Sequence, residues 1–210
     1  MAALDTTDHG KNDCPVRARV SILVALLLAG TGAVVLAANP KPLPLSQRML
    51  RTGDLAGFKP DNPTYVSDPS KWAQKCPDHE ADRLRKLGFV AAAGLHLSFA
   101  QSGRDGISYV TRFRSAASAA ADVTHFVASH PDCTTALELD SFKVTAIPGS
   151  HGIAATRSDG EGYDIVFADG VFSYDVGAFT TDPKGPPTRS DVIRAATRLY
   201  TRVRGHPARS

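Results

Sequence analysis

Residues 162–203 read GYDIVFADGVFSYDVGAFTTDPKGPPTRSDVIRAATRLYTRV, and this stretch decides the fold class. Gly162–Ala168 and Val171–Phe179 are runs rich in apolar and β-favouring residues on either side of Asp169-Gly170. Asp-Gly between two such runs is a strong short-range hairpin signal. Beyond Pro186-Pro187 the period changes. Val192, Ile193, Ala196, Leu199, Tyr200 and Val203 recur at helical spacing. Thr188 stands where an N-cap should, with Asp191 three residues on, a capping box with Asp in place of Glu. A hairpin followed by an amphipathic helix implies an antiparallel sheet with a helix packed on it, an α+β fold.

Working back from this stretch, the pattern recurs. Phe89–Phe99 and Ile107–Phe113 read as strands around a Gly-rich turn. Ser115 caps a helix expected over Ala116–Ser129, with Pro131 as its stop. From Phe89 to the cap Ser115, and from Tyr163 to the cap Thr188, the same order of elements appears with different residues, suggesting a two-fold ββα plan. Between the two units, Phe142–Ile147 and Gly152–Arg157 read as further strands. Before them, Glu80–Leu87 reads as a helix stopped by Gly88. A short helix is expected over Ser46–Arg51. Residues 57–78, with four prolines and Trp72, read as irregular apart from a turn of helix near Trp72.

At the start of the chain, Val20–Ala38 is an uncharged apolar run, VSILVALLLAGTGAVVLAA. At 1.5 Å per residue it would span about 28 Å, close to the hydrocarbon thickness of a bilayer. The expected organisation is a cytoplasmic leader over 1–19, a signal anchor over 20–38, a Pro-rich spacer over 39–45 and an extracytoplasmic α+β domain over 46–210. The alternative is a secreted protein, cleaved after Leu36-Ala37-Ala38. Charges flanking the run balance, but Arg17 and Arg19 lie nearest its edge and favour a cytoplasmic N-terminus. No cysteine stands just after the run, which closes the lipoprotein route.

The net charge is +3. Residues 1–38 carry Lys11, Arg17 and Arg19 against Asp5, Asp8 and Asp13, so the excess lies downstream. It is too small for a nucleic-acid partner. The expected partners are the membrane, through residues 20–38, and an envelope protein or a small ligand. In an exported domain the two cysteines outside the leader, Cys76 and Cys133, read as one disulfide.

No catalytic, cofactor or metal motif stands out. Cys76-Pro-Asp-His79 has a spacing that can hold a metal but lacks neighbouring ligands. His125 and His130 are five apart, off the i, i+4 pairing of a helical chelate, and read as exposed. Gly149-Ser150-His151-Gly152 lacks the strand-to-helix context of a nucleophile elbow. Ser158-Asp159-Gly160-Glu161-Gly162 lacks the alternating ligands of a calcium loop. Arg189, Arg194, Arg198 and Arg202 lie off the apolar stripe of the last helix and form a candidate interaction face.

The run Leu50-Arg51-Thr52-Gly53-Asp54-Leu55-Ala56-Gly57-Phe58, the strand–Arg-Phe-Arg-Ser–helix of residues 107–129 and the final hairpin and helix resemble uncharacterised extracytoplasmic proteins of actinobacteria. The element order is similar to the PsbP/Mog1-like sandwich and to the extracytoplasmic sensor domains of mycobacterial kinases. The resemblance implies an anchored or secreted α+β domain, with no activity or site residues attached. The expectation is a binding or sensing module without enzymatic activity. The alternatives are a structural protein of the envelope, supported if Trp72, Tyr65 and Phe58 share an exposed patch, and a hydrolase, supported if His96 or His151 lies beside an acid in a cleft.

Overall fold

The hairpin predicted around Asp169-Gly170 forms the centre of the molecule. β7 (Gly160–Asp169) and β8 (Phe172–Thr180) pair antiparallel from Glu161↔Thr180 to Asp169↔Phe172. Gly170 (φ +56°) is therefore the first residue of a two-residue loop, the position where a hairpin of opposite turn hand requires glycine. The structure is a computed structural model, and it describes residues 41–207 apart from 74–78, 101–102, 134–135 and 183.

The other strands are β1 (Phe58–Pro60), β2 (Thr64–Val66), β3 (Phe89–Phe99), β4 (Arg104–Phe113), β5 (Glu138–Phe142) and β6 (His151–Arg157). They join one antiparallel sheet in the order β1-β3-β4-β8-β7-β6-β5, with β2 also on β3. The helices are α1 (Pro69–Trp72), α2 (Glu80–Lys86), α3 (Ala116–Cys133) and α4 (Arg189–Val203). The expected α+β class with helices on an antiparallel sheet is what the chain adopts.

Side chains alternate along each strand, so the sheet has two distinct faces. One buries Leu95, Val110, Ile165, Phe167, Tyr174 and Val176 against Val192, Leu199 and Val203 of α4. Phe167 stacks on Tyr174 at 4.7 Å and meets Tyr200 edge-on at 5.8 Å. The Thr188–Asp191 capping box is present and fixes the start of α4. The other face packs Phe113 and Ala168 against Leu84 of α2 and Ala119 of α3. Both ββα units are thus visible, and β4 pairs with β8 at their junction. Their helices lie on opposite faces of the sheet.

Four expectations need correcting. The helix expected at Ser46–Arg51 is only a 3-10 turn, Leu45–Gln47, because Arg48, Met49 and Leu50 are all buried in succession, which a surface helix cannot do. Residues 57–78 contain β1 and β2, whose hydrogen bonds go to the edge of β3. The strand expected at Phe142–Ile147 lies earlier, at Glu138–Phe142. Val144 and Ile147 instead plug the core from a turn, whose carbonyls accept from Ser150 Oγ at 3.2 and 2.8 Å. Finally, α3 runs past Pro131 to Cys133, since a proline in a last turn removes only one helical hydrogen bond.

Asn39–Ser210 forms one compact unit. The leader over 1–19 and the apolar segment over 20–38 lie outside the described residues. So does the Cys76–Cys133 pairing. Among the described residues no helix is long and apolar enough to cross a membrane.

Candidate functional site

On the α3 face the helices cover only part of the sheet, and a cleft of roughly 310 Å³ opens beside them. Its floor follows from strand register. Thr64↔Gly94, Gly94↔Tyr109, Tyr109↔Asp175 and Asp175↔Val166 form one continuous cross-strand row over β2, β3, β4, β8 and β7. Directly opposed side chains touch across a sheet, so this row acts as one surface.

Glycine shapes the row. A Cβ at Gly94 would stand 3.2 Å from both the Trp72 ring and Tyr109. Its absence lets Trp72 lie low over the strand, where its Nε1 donates to Thr111 Oγ1 at 3.0 Å. Trp72 then meets Tyr109 edge-on, with ring centroids 5.4 Å apart.

The wall comes from α2 and α3. Arg83 Nε donates to Glu80 at 2.7 Å, and Nη2 bridges Glu80 and Asp122, the latter at 2.6 Å. Asp122 also accepts from Ser173 Oγ at 2.6 Å, which ties α3 to β8. Phe126 and His130 sit together further along α3, their rings 5.3 Å apart. His125 Nε2 is 3.5 Å from Glu80.

Several polar atoms of this cleft are buried with no hydrogen-bond partner among the described residues: Arg83 Nη1, His130 Nε2 and Asp175 Oδ1. Buried polar groups are nearly always satisfied, so such a concentration is informative. Burial, and then the charges of Asp164 and Asp122, push the Asp175 carboxyl well above the usual carboxylate range. Asp164, whose side chain leans over Gly177 in the adjacent row, is pushed up to about 7 by burial and by Asp105. Burial raises the Tyr109 hydroxyl, helped by the charge of Asp175, and lowers His130.

The residues singled out from the sequence fare differently. His125 and His130, expected to be exposed, both line the cleft; the five-residue spacing is off one helical face but a broad cleft reaches both. His96 lines it too, 3.5 Å from the Tyr109 hydroxyl. Ser150 locks a turn, and Asp159 pairs with Arg157 at 3.3 Å. Among the described residues no group of three or more ligating side chains is placed to hold a metal. Trp72, Tyr65 and Phe58 do not share a patch: Phe58 is buried on the α4 face, Trp72 lines the cleft, and only Tyr65 is exposed, at 53%.

The arginines of α4 all have partners within the chain. Arg189 reaches Asp140 at 3.1 Å over the Phe142 ring, and Arg194 pairs with Asp191 at 2.6 Å. Arg198 donates to the Gly53 carbonyl at 2.8 Å. Arg202 donates to the Met49 carbonyl at 2.8 Å and to Asp54 at 3.0 Å. Arg198 and Arg202 latch α4 to the first segment of the domain and Arg189 latches it to β5, while the Arg194 pair lies within α4.

Sequence reasoning missed the floor of the cleft. Asp175 and Tyr109 occupy alternate, outward positions of strands, where polar residues are ordinary, and only the pairing of β4 with β8 brings them together.

No family model and no curated protein matches the chain. Among solved structures, the extracellular domain of PknH from Mycobacterium tuberculosis is similar in fold, with a TM-score of 0.55 and 15% identity over 77% of this chain and 97% of that one. A protein of Mycobacterium smegmatis, the Rv0999 ortholog, aligns with a TM-score of 0.39 and 14% identity over 70% of this chain and 90% of that one. The likeness to the first is one of fold.

Proposed function

We propose that the chain is an extracytoplasmic binding or sensing module, anchored by residues 20–38, whose ligand site is the cleft between α3 and the sheet. The observation that carries the reading is the set of unsatisfied polar atoms, Asp175 Oδ1, Arg83 Nη1 and His130 Nε2, around an aromatic-walled cavity of ligand size. A fold shared with the extracellular domain of PknH agrees with a place outside the cytoplasm. The disulfide between Cys76 and Cys133 belongs to the same proposal.

A second reading, a hydrolase, draws on His96 lying in the cleft with Tyr109 and Asp175. The serines there argue against it. Ser173 Oγ donates to Asp122 and Ser129 Oγ to the His125 carbonyl, so neither is activated by a histidine.

Native mass spectrometry of the full chain, released from membranes and mixed with a small-molecule extract of the cell envelope, tests the binding reading. A specific adduct on the wild-type chain, lost in a Ser129→Trp variant that fills the cleft, is the expected result. An absent adduct, or one that the filled variant retains, overturns it.

A further inference from the structure

The cleft has a charge imbalance that its own contacts leave unresolved. Among the described residues three carboxyl groups line it, Glu80, Asp122 and Asp175, against one guanidinium, Arg83, and the imidazoles of His96, His125 and His130. Arg83 is matched by Glu80 and Asp122 together, and Asp122 is further bound by Ser173. Asp175 is left over. It stands mid-floor between Tyr109 and Val166, its Oδ1 enclosed and without a donor. Among the described residues no lysine lines the cavity, and the nearest side chains in the row are a phenol and a valine.

The surroundings of Asp175 define what could complete it. Asp164 and Asp105 extend the acidic character along the same face, so an anion would meet repulsion. A neutral donor would satisfy the oxygen but leave that field uncompensated. A cation would do both. Tyr109 stands directly across from Asp175, with Trp72 edge-on to it in the same cavity, and aromatic rings attract ammonium groups. Arg83 Nη1, another of the orphaned atoms in the cavity, is a donor and calls for an acceptor oxygen elsewhere on the ligand.

From this geometry we infer that the cleft binds a small amine-bearing ligand, its ammonium group on Asp175 beside Tyr109 and an oxygen of the same ligand on Arg83 Nη1. The inference rests on the cleft being a binding site and names the chemical class it takes. An amino alcohol or amino sugar has the right groups, and a free metal ion does not, since the aromatic side offers it no ligands.

Trp72 is the sole tryptophan of the chain and lies in the wall of the cleft, so its emission reports occupancy directly. The full chain in detergent, in amine-free buffer at pH 8, is titrated with glucosamine and ethanolamine, and in parallel with glucose, ethylene glycol and acetate. Saturable change is expected with the two amines, at least tenfold weaker change with their neutral counterparts, and none with acetate. Asp175→Asn should weaken amine binding at least tenfold while leaving the melting temperature at or above that of the wild type. Equal response to glucose and glucosamine, or undiminished amine binding in Asp175→Asn, overturns the ligand class and leaves the cleft as a binding site. No saturable response to any of the five overturns the ligand class, and the adduct experiment then decides the cleft separately. The amine-to-alcohol comparison uses the unchanged chain, so it decides even if the Asp175→Asn variant fails to fold.

Discussion

Arg48 Nη1 donates to the Tyr174 hydroxyl at 2.8 Å, joining the first segment of the domain to a central strand inside the core. Arg48 is wholly buried, its guanidinium 3.8 Å above the Phe172 ring. Its Nη2 donates to the carbonyls of His206 and Pro207 at 2.6 and 2.8 Å, so one side chain ties both ends of the domain to its centre. Arginine suits the position because its fork of donors can serve several acceptors at once. Replacing Arg48 with Met should cost about 3 kcal/mol, since it strands buried acceptors. Tyr174→Phe, which removes one acceptor, should cost about 1–2 kcal/mol. Urea unfolding checks both; an Arg48→Met variant as stable as the wild type would show that the latch is dispensable.

Asp164 predicts a pH dependence. Folded, its carboxyl titrates at about 7, against an ordinary value of 3.8. Between these values the folded chain holds a proton that the unfolded chain has lost. The contribution of Asp164 to stability therefore falls as pH rises from about 4 to about 7 and is flat above that. Asp175, also raised, acts in the same direction. Asp164→Asn should be near neutral at pH 4 and stabilising at pH 8, on the order of 1–3 kcal/mol. Parallel melts at the two pH values measure the difference, and an equal effect at both would place the titration elsewhere.

Gly94 sets the depth of the cleft. Gly94→Val would press on Trp72 and Tyr109, each 3.2 Å from a Cβ at that position. Overpacking there should cost about 1–3 kcal/mol. The emission of Trp72 should shift as the ring is displaced, and ligand response should be lost. An unchanged spectrum would mean that Trp72 does not lie over this strand.

The proposed disulfide and anchor are checked together in cells. Cys76 and Cys133 should resist thiol reagents in intact cells until reductant is added, and the chain should stay with the membrane after carbonate washing. Reduction should lower stability by about 4 kcal/mol in the chain-entropy view of a loop of that length. Free labelling of both thiols only after lysis would place the domain in the cytoplasm.

The capping box at Thr188 offers a control remote from the cleft. Thr188→Ala removes the acceptor for the Asp191 N–H and should cost about 1 kcal/mol in a chemical melt while leaving ligand response unchanged. A loss of binding in this variant would mean that α4 and the cleft are coupled.

Much of the fold was legible because its strongest elements carry redundant signals. The hairpin has both alternation and a glycine turn, and α4 has both a stripe and a cap. β1 and β2 were invisible because three-residue strands bounded by proline carry no periodicity, and their existence depends on the free edge of β3. Val144 and Ile147 looked like a strand because apolar residues two or three apart fit several geometries. The site was hidden for a different reason. Its lining residues come from five strands and three helices far apart in sequence, and nothing local marks Asp175 as different from Asp182 or Asp159.

The alternation of the two sheet faces separates two kinds of selection along a single strand. In β8, Tyr174 and Val176 hold the core while Ser173 and Asp175 face the cleft. Under the proposed function, a substitution at one parity alters recognition, and a substitution at the other alters folding. Ligand preference can therefore drift by single-residue changes on an unchanged scaffold, and descendants of one such domain can come to answer different molecules while keeping the same chain trace.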